Sequence, residues 1–222
     1  MRQCTAEEFL KDVANHQMTI PLSDGVYRHV RFRSTVRGWN QWFDLVTWPG
    51  CLTISGDMGT WTFSRLPDMF EFFRDSQLRI NEGYWAEKLQ GGNCTGRSSG
   101  AMQFDAELFR ERLFGQIKDF DLTAKQRGFV GRELKELLDS TDENEHYMYR
   151  AVYDFDCEVP GYGRFRFDGA ELPNGRTYTY RFVWCLYAIV WGIQQFDNGM
   201  TVATQETGES VGSLSDQEGN KQ

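Results

Sequence analysis

Soft metal ligands are scarce in this 222-residue chain: it has five cysteines and three histidines, and none is spaced as a ligand set. Cys4, Cys51, Cys94, Cys157 and Cys185 are far apart and odd in number, with no C-x-x-C pair. That excludes a readable zinc ribbon or thioredoxin-type redox site and fits a reducing cytosol. His16, His29 and His146 stand alone, without the H-x-H or H-x-x-x-H spacing a metal site needs. No G-x-x-x-x-G-K-[ST], G-x-G-x-x-G or G-x-S-x-G motif occurs, so no phosphate loop, dinucleotide turn or nucleophile elbow is legible. The expectation is a protein without catalytic equipment and without a cofactor.

Long apolar runs are lacking as well. The longest, "FVWCLYAIVWGI" (residues 182–193), has twelve residues, whereas a bilayer span needs about 20. It predicts a buried helix. The opening "MRQCTAEEFLKDV" has no apolar h-region of a secretory signal, so a cytoplasmic protein with no membrane partner is expected. Basic excess is missing too: the net charge is -8 and the pI near 5.0. That balance argues against nucleic acid as a partner, because phosphate binding needs clustered basic surface.

What is present is aromatic: 15% of the chain is Phe, Trp or Tyr. Thr5 and Glu8 form a capping-box pattern ahead of a helix carrying Phe9, Leu10 and Val13. "PLSDG" then reads as punctuation. Residues 26–34, 40–48, 51–55 and 60–65 alternate as strands, separated by "PG" and "GDMG" turns. Phe43, Leu45, Leu52, Ile54, Trp61 and Phe63 fall on one face, which predicts an antiparallel four-stranded meander covered by helices. Pro67 suits a first helical residue, with Met69, Phe70, Phe72 and Phe73 covering the sheet.

Beyond residue 74 the period becomes helical. Residues 82–90 predict a short helix, and "GGNCTGRSSG" (residues 91–100) is the best internal boundary. Phe109, Leu113 and Ile117 recur every four residues, and Thr123 with Gln126 caps another helix. Tyr147, Tyr149 and Tyr153 are expected to face inward, and "GRFRFDG" to form a short edge strand. The fold class expected is α+β: one domain over residues 1–198 with a helical C-terminal half, then a polar, disordered tail over 199–222.

Two surfaces qualify as sites. Residues 139–158 carry seven carboxylates, Asp139, Asp142, Glu143, Glu145, Asp154, Asp156 and Glu158, against Arg150. Such a run is a solvated face or a partner-binding surface able to compete for a basic groove. On the sheet, Tyr27, His29, Arg31 and Arg33 share an alternate set that Trp42, Asp44 and Trp48 can join. Interleaved basic and aromatic residues suit a single-stranded nucleic-acid platform; otherwise helices cover this face and carboxylates neutralise it. The "SGDMG" loop reads as a plain hairpin turn, because Asp57 would repel a phosphate.

Residues 42–74 ("WFDLVTWPGCLTISGDMGTWTFSRLPDMFEFFR") and 180–197 ("YRFVWCLYAIVWGIQQFD") resemble a family of proteins encoded in bacteriophages and prophages. Its members share the WPG and GDMG turns, the DMF-FF helix and a late W-x-x-YAI-x-WGI helix. The resemblance implies a phage accessory protein in the bacterial cytoplasm. With no catalytic motif, the expected function is binding and inhibiting a host protein, a component of antiphage defence. The alternative is a nucleic-acid or nucleotide-binding role in phage replication through the sheet face. Self-association into a homo-oligomer stays open.

Overall fold

In the computed structural model, which describes residues 3–36, 41–92, 100–167 and 172–212, the alternating segments pair into one antiparallel sheet. Helix α1 (Ala6–Val13) precedes strands β1 (His16–Asp24), β2 (Tyr27–Ser34), β3 (Phe43–Trp48), β4 (Cys51–Gly56) and β5 (Gly59–Ser64). Short helices α2 (Met69–Phe73) and α3 (Glu82–Ala86) lead to β6 (Leu89–Gly91). The order across the sheet is β1-β2-β3-β4-β5-β6. After β7 (Met102–Phe104) come α4 (Ala106–Gln116), α5 (Ala124–Asp139) and α6 (Glu145–Tyr153). Strands β8 (Asp156–Val159), β9 (Gly163–Arg166) and β10 (Arg176–Tyr178) precede α7 (Tyr180–Gly212). The α+β class stands, with six strands in the main sheet where four are expected.

Both additional strands lie at the edges. β1 contains Pro21, which makes the segment look like a turn. The pairing shifts register between Thr19 and Leu22, and a bulged edge is where a strand tolerates proline and resists further pairing. β6 spans three residues, too few for alternation, and overlaps the end of the helix predicted over 82–90; helix α3 ends at Ala86. Pro67 precedes the helix instead of opening it, and Asp68 is the N-cap, accepting from Phe70 N at 2.9 Å.

Contacts divide the chain into two compact units, Arg2–Ala101 with Thr179–Gln222, and Met102–Tyr178, where the sequence reading has one domain over 1–198. The chain leaves and re-enters the sheet unit at neighbouring points: Thr179 donates through N to Ala101 O at 2.8 Å and through Oγ1 to Gly100 O at 3.0 Å. Of the expected boundary, residues 93–99 lie outside the described residues.

The sheet unit's core follows the alternation. Val30, Phe32, Phe43, Leu45, Leu52, Ile54, Trp61 and Phe63 are buried against α7, whose Phe182, Trp184, Ile189 and Ile193 are equally enclosed. Trp184 meets Phe9 and Phe43 edge-on at 5.1 and 5.7 Å and donates Nε1 to Asp12 at 3.0 Å. Gly192 makes the close approach of α7 to the sheet workable, since a Cβ there would sit 2.7 Å from Leu45 Cδ1. The first glycine of "GDMG" has a similar cause: a Cβ on Gly56 would lie 2.1 Å from Trp42 O, the carbonyl to which Asp57 N donates. Helix α7 continues beyond the apolar run into the stretch read as a tail, because extending a formed helix costs less than nucleating one. Residues 213–222 lie outside the described residues.

In the inserted unit, Phe109, Leu113, Val130, Leu134, Leu138, Met148, Val152 and Phe165 form a separate buried cluster. α5 opens on the expected Thr123–Gln126 capping box, and β8 pairs with the expected strand, β9. None of the helices described is long and apolar enough to cross a membrane.

Candidate functional site

The seven carboxylates of residues 139–158 do not form a bare acidic patch. Asp139 pairs with Lys135 at 2.7 Å, Glu143 with Arg110 at 2.7 Å, and Asp154 with Arg150 at 3.4 Å. Arg176 grips Glu145 with two bonds, of 2.7 and 2.9 Å. Asp156 takes both Arg164 and Arg166 from the facing strand, and these hold its carboxyl far below the ordinary range. Glu158 lies opposite Arg164 in the same register, while Asp142 is an exposed loop residue. A run that is acidic in sequence is therefore close to neutral as a surface. Lys135 and Arg150 answer it at i,i+4 spacing, and the other cations come from α4, β9 and β10.

Helix α6 is the centre of this surface. Asn144 caps it by accepting from His146 N at 3.0 Å. Met148 and Val152 point into the core, one helical turn apart. Tyr149 is half-buried, donating to Pro173 O at 2.9 Å and accepting from Gly175 N at 3.1 Å. The inward tyrosine stripe expected is thus corrected: Tyr147 and Tyr153 are 54% and 66% exposed. Met148 and Val152 occupy the inward positions, leaving their outer neighbours in solvent. Two rows at helical spacing, Glu145–Tyr149–Tyr153 and His146–Arg150–Asp154, line a groove of about 700 Å³ with Leu172. Sequence reading missed the groove because Leu172 belongs to another segment. Its tyrosines were visible but assigned to the core.

The second candidate lies on the sheet face opposite α7. Asp44, on β3, gathers three side chains from β2: His29 Nε2 at 2.8 Å, Arg33 Nη1 at 2.7 Å and Arg31 Nη2 at 3.4 Å. Burial pushes the Asp44 carboxyl up, and the bonds from His29, Arg33 and Arg31 more than reverse it, leaving it below its ordinary value. Arg33 also lies over the Trp42 ring at 4.3 Å. Tyr27 and Trp48 are 51% and 38% exposed at one end of the face. Toward β5 it turns to hydroxyls, with Thr53–Thr62 at 2.8 Å and Ser55–Thr60 at 2.9 Å. Of the set Tyr27, His29, Arg31, Arg33, Trp42 and Trp48 read from the sequence, only His29, Arg31 and Arg33 reach Asp44; Trp42 meets Arg33, and Tyr27 and Trp48 lie apart at the end of the face. Helices α2 and α7 cover the other face, with α1 packed on α7.

Cys4 and Cys185 are buried and Cys51 and Cys157 half-buried, and none of these four is in a disulfide; Cys94 lies outside the described residues. Among the described residues no group of three or more His, Cys, Asp or Glu side chains could hold a metal ion. Compared with protein-family models, curated proteins and solved structures, the chain matches none.

Proposed function

We propose that this chain acts by stoichiometric binding to a protein partner through the outer face of α6. One observation carries the reading: Tyr147 and Tyr153 stand exposed on α6, and Tyr153 lines a groove whose charged walls Glu145, Arg150 and Asp154 are already matched by the chain's own ion pairs. Tyrosine and arginine are among the side chains that concentrate binding energy at protein interfaces, and tyrosine buries large area at small entropic cost. A surface of paired charges also avoids leaving an unpaired charge buried in the complex. As part of the same proposal the partner is a host protein, a component of antiphage defence. That follows the resemblance to phage and prophage proteins and the lack of any catalytic motif.

This reading moves the site from the carboxylates to the tyrosines. Reversing Glu143 or Glu145 would break structural pairs with Arg110 and Arg176, so loss of binding in such variants would be ambiguous. The test is capture from infected cells with the full chain. Wild type recovers a stoichiometric protein, and Tyr147→Ala/Tyr153→Ala weakens its binding tenfold or more, about 1.4 kcal/mol. Equal recovery by a correctly folded double variant would remove α6 as the binding surface.

A further inference from the structure

The outer sheet face has features that a solvated polar face does not require. Residues two apart on a strand are about 6.6 Å apart, so Tyr27, His29, Arg31 and Arg33 form a file about 20 Å long. Pairing sets this file beside β3, with His29 opposite Val46 and Arg31 opposite Asp44. The next strands add Thr53, Ser55, Thr60 and Thr62 on the same face.

Cations exceed carboxylates at the centre of this face. Among the described residues of β2 to β5 on this face Asp44 is the one carboxylate, with Asp24 at the hairpin rim facing Tyr27. Arg31 meets Asp44 only at 3.4 Å, through Nε and Nη2, and its side chain is 43% exposed. Its guanidinium is therefore part-exposed and only loosely held. The net charge of -8 does not cancel this locally, because exposed charges more than about 8–10 Å away are largely screened at physiological ionic strength. At the end of the file, Trp48 and Tyr27 offer exposed ring surface.

We propose that this face binds a single-stranded nucleic acid, with Arg31 contacting the phosphodiester backbone and Trp48 and Tyr27 stacking on bases. Exposed aromatic rings next to a cationic file are how sequence-tolerant single-strand sites work, each stacked base adding to the backbone contact. A duplex hides its base faces and would leave the rings unused. The site is independent of α6 and goes beyond the protein-binding role.

The test uses the full chain and a labelled oligothymidine of roughly 12 nucleotides, with oligouridine of the same length and a matching duplex as further arms. Fluorescence anisotropy at about 50 mM salt should show saturable binding to a single strand, weakening as salt rises. The relative strength of the thymidine and uridine arms identifies DNA or RNA as the preferred source. Arg31→Gln should weaken binding threefold or more and lower the slope of log affinity against log salt by about 0.7, the value for one phosphate contact on a single strand. Trp48→Ala should weaken binding while leaving the salt slope unchanged. Both side chains are exposed, and an unaltered melting curve verifies the fold of each variant. The proposal is overturned by absent saturation up to about 100 µM protein, the weak limit of non-specific binding. It is equally overturned by undiminished affinity in both variants, or by a duplex bound as tightly as the single strand.

Discussion

The two units of this chain treat charge in opposite ways. In the sheet unit, cations spread through β2 converge on Asp44, and the face they share keeps an excess of basic groups. In the inserted unit, a run of carboxylates is dispersed onto separate cations: Lys135, Arg110, Arg176, Arg150 and the Arg164–Arg166 pair. Proximity along a chain is a poor guide to the electrostatics of a surface. Alternation gathers every second residue onto one face, whereas a helix and its loops scatter a run over several directions.

The cores are the sharpest way to probe that contrast. Trp184 is fully buried in the sheet unit, and Trp184→Ala should cost about 3–5 kcal/mol through the cavity it leaves. Hydrogen exchange should then accelerate in β2 to β5 and in α7. If α5 amides accelerate as much, the two clusters behave as one cooperative core and the comparison fails.

A smaller effect is expected at Asp68. It caps α2 and takes two 2.8 Å bonds from Arg28, which is itself held 4.6 Å from the Phe70 ring. Asp68→Asn should cost about 2 kcal/mol in chemical denaturation, the scale of a charged hydrogen bond in a mostly enclosed site.

Acid separates the units further. Burial holds His16 below its ordinary value, the bond to Gln41 O only partly opposing it. The unfolded chain therefore binds its proton first, so stability is full above about pH 6.5 and declines as pH falls below it. The hydrogen bond from Arg28 lowers Asp68, and Asp44 is also lowered; both contribute stability that is present above about pH 4 and lost below it. Exchange measured from pH 7 downward should show β1 to β3 losing protection before α5. Simultaneous loss would contradict this assignment of the titrating groups.

The mildest change runs the other way. Gly131 lies inside α5, with nothing within 4 Å of the position a Cβ would take. Gly131→Ala should stabilise the inserted unit by about 0.5–1 kcal/mol, read as a raised melting temperature.

Much of the sheet unit was legible because alternation, tight turns and an all-round apolar helix are local signals. Its edges were not. β1 hides behind Pro21, whose place is decided by a bulge, and β6 is too short to carry a period. In the inserted unit the capped helices α4 and α5 were visible from Phe109, Leu113 and Thr123. The facing of α6 was not, since Tyr147, Met148, Tyr149, Val152 and Tyr153 allow more than one apolar stripe. Only packing against Phe109 and Pro173 selects Tyr149 as the inward ring. The pairs Lys135–Asp139 and Arg150–Asp154 lie at i,i+4 spacing, but those of Arg110 with Glu143 and Arg176 with Glu145 were hidden, because the cations lie 33 and 31 residues away.

On the proposed function, protein recognition belongs to α6 and not to the outer sheet face. The direct measurement is a calorimetric titration of the captured protein partner into wild type, Tyr147→Ala/Tyr153→Ala and Arg31→Gln, all as full chains. Binding should be at least tenfold weaker in the tyrosine variant, with the arginine variant indistinguishable from wild type. Unchanged affinity in the tyrosine variant together with a loss in Arg31→Gln would contradict it.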